Sequence, residues 1–178
     1  MLDPAVGALL AGCYALLFAS AALHKILDLP RFAAVLDAYA LLPRLGRLAW
    51  AVPLSELGAG AGMLSGLTRS WAAGLGAVLL LAYAGAIALN LHRGRRDLAC
   101  GCGGPNERRP IAPWMVWRNL ALALLLSGTL LKWSPRPMLG VDALTVAAGV
   151  ATAALLYVSL DRLLGQVLPR AQLLRGSP

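Results

Sequence analysis

The stretch Trp71–Leu91 reads WAAGLGAVLLLAYAGAIALNL and carries no charged residue. As an α-helix it covers about 31 Å, the thickness of a bilayer's hydrocarbon core. A helix that is apolar all round has no solvated face to offer, so the stretch reads as a membrane span. Four neighbouring runs have the same character: Ala5–Leu27, Leu48–Leu67, Trp114–Leu131 and Leu139–Leu160. The full chain of 178 residues is 59% hydrophobic and 13% charged. Its mean hydropathy is +0.70. These values exclude an ordinary soluble globule and point to an all-α, polytopic integral membrane bundle. One domain over residues 1–178 is expected, with about five transmembrane helices, since the connections leave no room for a soluble domain. The opening Met1-Leu2-Asp3-Pro4 has no basic region and no small-residue cleavage site follows, so the first span is expected to be retained.

The net charge of +8 does not by itself point to nucleic acid, because the sixteen Lys and Arg are sorted by side. With five spans, Arg69, Lys132 and Arg136 share a side with the N-terminus. Lys25, Arg31, Arg44, Arg47, Arg93, Arg95, Arg96, Arg108, Arg109, Arg118, Arg162, Arg170 and Arg175 fall on the other. This positive-inside bias predicts a bacterial inner-membrane protein with its N-terminus outside and its C-terminus in the cytoplasm. The basic tail is expected to lie near anionic lipid headgroups.

Between the first two spans, Asp28 is a candidate helix cap and Pro30 suits an early helical position. Phe32, Val35, Leu36 and Tyr39 then share one helical face, predicting an interfacial helix that ends at Leu42-Pro43. In the second span, Pro53 is expected to kink the helix just before Glu56. Gly58, Gly62 and Gly66 recur every four residues, a face for close helix packing. Cys13, alone in the first span, reads as a small packing residue. Trp114 and Trp117 mark an interfacial belt where the chain re-enters the membrane.

The polar residues of the spans lie to one side. His24 and Lys25 end the first span, Asn90 ends the third, and Arg118 and Asn119 lie one turn into the fourth. Glu56 is about 10–12 Å into the second span from the same side. An intramembrane carboxylate is costly unless paired or neutral. Lys25 or Arg118 is the expected partner, although Lys25 is also placed to snorkel to the interface. The pattern predicts a polar pocket of His24, Lys25, Glu56, Asn90, Arg118 and Asn119; a buried ion pair that only orders the bundle is the alternative.

Residues 97–113 form a Gly- and Pro-rich loop on that same side, and it holds Cys100-Gly101-Cys102. A disulfide between these cysteines closes a ring so small that loop entropy contributes only roughly 1.5–2 kcal/mol before strain. Such a bond is a poor staple and a plausible redox couple, because strained disulfides are readily reduced. His92, Arg95 and Arg96 are candidates to stabilise the attacking thiolate. Two unlinked thiols in a flexible loop, and metal ligation, are the other readings. His24 and His92 would add the right ligand types for zinc, but one-residue cysteine spacing is not the usual zinc pattern.

An ordered set of these features resembles the MauE family. The set comprises His24-Lys25; Phe32, Leu36, Tyr39 and Leu41-Leu42-Pro43; Glu56 before a glycine-rich stretch; then Asn90, Arg93-Gly94, Cys100-Gly101-Cys102 and Arg118-Asn119. It spans residues 14–120, with a departure at Gly103, where an aromatic residue is expected. The resemblance implies a DoxX-like membrane bundle. It also implies processing, transport or disulfide maturation of the methylamine dehydrogenase β (small) subunit or a similar exported redox protein, beside a thioredoxin-like partner. That client is outside, whereas the charge bias puts Cys100 and Cys102 inside, so either a relay passes reducing equivalents across the membrane or the charge rule misleads for this chain. Three classes of function stay open: a thiol–disulfide relay with oxidoreductase character, a His/Cys metal site, and a non-catalytic assembly or transport subunit binding a quinone or small molecule.

Overall fold

Asp3 starts the first helix: its side chain accepts a hydrogen bond from Ala5 N at 2.9 Å, and Pro4 takes the first helical position. From there α1 runs unbroken over Pro4–Leu27 in the computed structural model, which describes residues 3–41, 44–100, 110–132, 134 and 136–175. Asp28 breaks the helix and caps the next, α2 (Leu29–Ala38), by accepting from Arg31 N at 3.3 Å. The remaining helices are α3 (Ala51–Met63), α4 (Arg69–His92), α5 (Pro113–Leu126) and α6 (Gly140–Arg175). Among the described residues there is no β-strand, only one antiparallel bridge between Ala99 and Pro110.

Among the described residues, three helices are long and apolar enough to cross a membrane: Pro4–Leu27, Arg69–His92 and Gly140–Gly165. They coincide with the first, third and fifth expected spans. The expected fourth span is continuous but mixed. After α5 the chain tightens into a 3₁₀ turn, Ser127–Leu130, giving about 29 Å of helical rise in all. The expected second span is shorter than its apolar run. At 13 residues, α3 covers only about 20 Å. It stops because Thr68 Oγ1 donates to Gly62 O (2.9 Å) and Arg69 Nε donates to Met63 O (3.4 Å), closing carbonyls that would otherwise continue the helix. Pro53 does not kink this helix. It is the third helical residue, where the missing N–H has no partner within the helix in any case.

Helix α2 lays one face on the bundle. Phe32 and Tyr39 are buried, and Tyr39 packs with Ile87, Ile111 and Met115. Asp37 holds the following turn by accepting from Gly46 N at 2.8 Å. Gly46 is required there: a Cβ would lie 2.7 Å from Ala33 O. The expected helix end at Leu42-Pro43 lies outside the described residues.

The bundle packs α1 on α3, α3 on α4 and α4 on α5, with α6 against α1. Tyr14, Phe18, Met63, Leu80 and Leu126 form the main apolar core. Of the every-fourth-residue glycines only Gly62 lies in a close helix contact, and Gly60, outside that set, lies in another. Gly58 and Gly66 face open space. A Cβ on Gly60 would come 3.1 Å from Ala15 O in α1, and one on Gly62 would come 2.8 Å from Ala72 Cβ in α4. Helix α6 docks through Gly149 on Leu9 and Val150 on Gly12, yet none of its residues 140–165 is buried. At the N-terminal end of α1, Arg136 bridges Asp3 (3.1 Å) and Asp142 (2.7 Å), tying the starts of α1 and α6 together.

Candidate functional site

Lys25 lies in the last turn of α1, where the helix dipole favours a cation. It does not snorkel. Only 5% of it is exposed, and its Nζ donates to Oε1 and Oε2 of Glu56 at 2.8 and 3.0 Å. Glu56, in the second turn of α3, is fully buried. Tyr83 Oη, from α4, donates to the same carboxylate at 2.6 Å. The Lys25 ammonium also sits 5.4 Å from the ring centroids of both Phe32 and Tyr83. Three bundle helices and the α2 cover thus meet at one ion pair. Such a pair tolerates burial because its partners satisfy each other and further hydrogen bonds support them.

Arg118, the alternative partner for Glu56, is engaged elsewhere. It pairs with Asp161 of α6 and stacks on Trp114, its Cζ 5.4 Å from the ring centroid. Asn119, beside it, is 3% exposed, and its Nδ2 has no hydrogen-bond partner among the described residues. A buried amide left so costs about 1–3 kcal/mol.

These groups border a cavity of about 1000 Å³. It lies where α5 and α6 stand apart, each lining one wall, with α1 between them. Its polar end holds His24, Lys25, Glu56, Tyr83, Cys100, Arg118, Asn119 and Asp161; its other end is lined by Leu10, Cys13, Leu17, Leu122, Leu125 and Val150.

The expected pocket residues therefore separate into two groups. His24, Lys25, Glu56, Arg118 and Asn119 line the cavity, with His24 at its exposed rim. Asn90 does not line it. That side chain is fully buried beneath α2, donating to Tyr39 O (3.2 Å) and Ala86 O (3.1 Å) and accepting from Arg95 at 3.3 Å. Arg95 is thus placed on Asn90, and His92 and Arg96 are exposed. Among the described residues no three His, Cys, Asp or Glu side chains converge as a metal site would require.

The base of the cysteine loop is fixed to the bundle. The Ala99–Pro110 bridge and the bond from Ile111 N to Leu98 O (2.9 Å) join its two ends. Tyr39 Oη donates to Cys100 O at 3.4 Å. Cys100 is half-buried at the polar end of the cavity, whereas Gly101 and Cys102 lie outside the described residues.

Two residues of the site escaped the sequence reading. Tyr83 sits within an otherwise apolar span, and its hydroxyl was the available signal. Asp161 lies one residue past the expected end of the fifth span at Leu160, but α6 continues through it to Arg175.

The family model described as methylamine utilisation protein MauE matches residues 3–132. The chain is 34% identical over 156 residues to a methylamine utilization protein MauE of Paracoccus denitrificans, covering 85% of this chain and 83% of that one. It is 32% identical over 169 residues to the Methylophilus methylotrophus protein of that name, covering 92% and 88%. For the Paracoccus versutus protein the identity is 33% over 166 residues, covering 92% and 89%. No solved structure matches the chain. With the family match extending from the cap of α1 through the cavity wall of α5, this chain belongs to the MauE family.

Proposed function

We propose that the chain is a thiol–disulfide relay of the bacterial inner membrane, acting in methylamine utilisation through disulfide maturation of an exported redox protein. By family resemblance the client is the methylamine dehydrogenase β subunit or a similar protein, reached through a thioredoxin-like partner. The observation that carries this reading is the position of Cys100. Its backbone is held by Tyr39 and by the bridge that closes the loop, and it borders the cavity built around Lys25 and Glu56. A redox pair needs such anchoring, so that one sulfur is presented to a partner while the other stays within reach.

In the oxidised state the Cys100–Cys102 disulfide is the electrophile. A partner thiolate attacks one sulfur, forming a mixed disulfide and releasing the other cysteine as a thiolate. The partner's second thiolate resolves the mixed disulfide. The partner leaves oxidised, and the loop pair has gained two electrons. The short ring favours the attack through strain, and the arginines beside the loop favour the released thiolate.

Single Cys100→Ser and Cys102→Ser variants test this reading. One of them should accumulate a covalent complex with a thioredoxin-like protein, seen as a reducible band on a non-reducing gel. Cys13→Ser should behave as wild type. Client maturation at wild-type levels with either loop cysteine absent would replace the relay with a non-catalytic assembly subunit.

A further inference from the structure

The cavity is larger and less uniform than the ion pair requires. About 1000 Å³ is at the upper end of what small-molecule sites enclose. One end offers charged and polar groups, and the other offers aliphatic side chains of α1, α5 and α6. Its two innermost cations already face carboxylates, Lys25 against Glu56 and Arg118 against Asp161. An anionic ligand would sit against one of these carboxylates. What the polar end lacks is an acceptor for Asn119, whose buried Nδ2 has no partner among the described residues. A neutral carbonyl oxygen supplies that acceptor without disturbing either ion pair. The walls Leu122 and Val150 then suit an apolar tail, and α5 and α6 stand apart along it.

We propose that this cavity binds a lipid-soluble quinone, with Asn119 donating a hydrogen bond to a ring carbonyl and the tail lying between α5 and α6. Under the relay reading, on which this role rests, the quinone is the electron acceptor. Oxidation of the Cys100–Cys102 dithiol to a disulfide releases two electrons and two protons, and these convert the quinone to its hydroquinone. Cys100 borders the same cavity.

The test is calorimetric titration of the full chain in detergent with decylubiquinone. Decylbenzene, which has the tail but no carbonyl, and laurate, an anionic amphiphile, serve as competitors. Saturable binding is expected, weakened about tenfold by Asn119→Leu and abolished by Ala154→Phe, which puts a large ring into the cavity from its α6 wall, where Ala154 lies one turn from Val150. Should Asn119→Leu fail to fold, Asn119→Asp keeps the size and, when ionised, has no donor. The Cys100→Ser/Cys102→Ser double variant should bind as wild type does, so failure of the relay would not remove this signal. Absence of saturable binding, unchanged affinity without the Asn119 donor, or equal competition by decylbenzene or laurate would overturn the proposal.

Discussion

Lys25 and Glu56 are joined by two short hydrogen bonds, 2.8 and 3.0 Å, across the α1–α3 contact, both side chains hidden from solvent. Removing one member strands the other charge, which costs about 3–5 kcal/mol. Glu56→Gln and Lys25→Met should therefore each lower the melting temperature and cellular accumulation sharply. The double variant Lys25→Met/Glu56→Leu should recover much of the loss. Additive losses in the thermal melts would show that the two groups act independently.

Tyr83→Phe removes a hydrogen bond to the same carboxylate. A bond to a charged group contributes roughly 1.5–3 kcal/mol, so the variant should sit between wild type and Glu56→Gln in stability. A variant as stable as wild type would mean that the Tyr83 hydroxyl does not support the pair.

Packing separates glycines that their even spacing treats alike. Gly58→Ala enters open space and should be neutral or stabilise by up to about 1 kcal/mol through helix propensity. Gly62→Ala meets Ala72 Cβ at 2.8 Å and should destabilise by about 1–3 kcal/mol. Thermal melts of the two variants in one detergent decide this.

The charge clamp at the opposite end responds to acid. The Arg136 guanidinium, aided by Ala5 N, holds the Asp3 carboxyl below its ordinary value of 3.8. A lowered folded-state value means that the contact stabilises fully above 3.8 and is lost as pH falls through the lower value. Fluorescence energy transfer between labels at the start of α1 and beside Arg136 should thus be steady at neutral pH and fall only in strong acid. Asp3→Asn should show the reduced transfer at every pH. A transition near neutral pH would assign the clamp to other groups.

Much of this arrangement was legible in the sequence. Helices α1 and α4 lie within two residues of their expected ends, because each is a long run of apolar, helix-favouring residues with clear boundaries. Depth narrowed the partner of Glu56 to Lys25 or Arg118, since only a few charges share that level, but it did not choose between them. The pairing of Arg118 with Asp161 was not, because it depends on how far α6 extends and which way it leans. The shortness of α3 was hidden for a similar reason: its end is set by Thr68 and Arg69 reaching back, while hydropathy continues through Leu67. The apolar face of α2 is evident from the spacing of Phe32, Val35, Leu36 and Tyr39, but a sequence does not say whether lipid or protein covers such a face.

Redox cycling of the loop pair is tested most directly by its oxidation state in living cells. In a Cys13→Ser background the only thiols are Cys100 and Cys102, so acid quenching followed by maleimide–polyethylene glycol labelling counts them by gel shift. A working relay should show a population that takes no label until a reductant is added and two labels afterwards. That population should shrink when cells are deprived of oxidant and return on reoxidation. Two labels before reduction under every condition would contradict the relay.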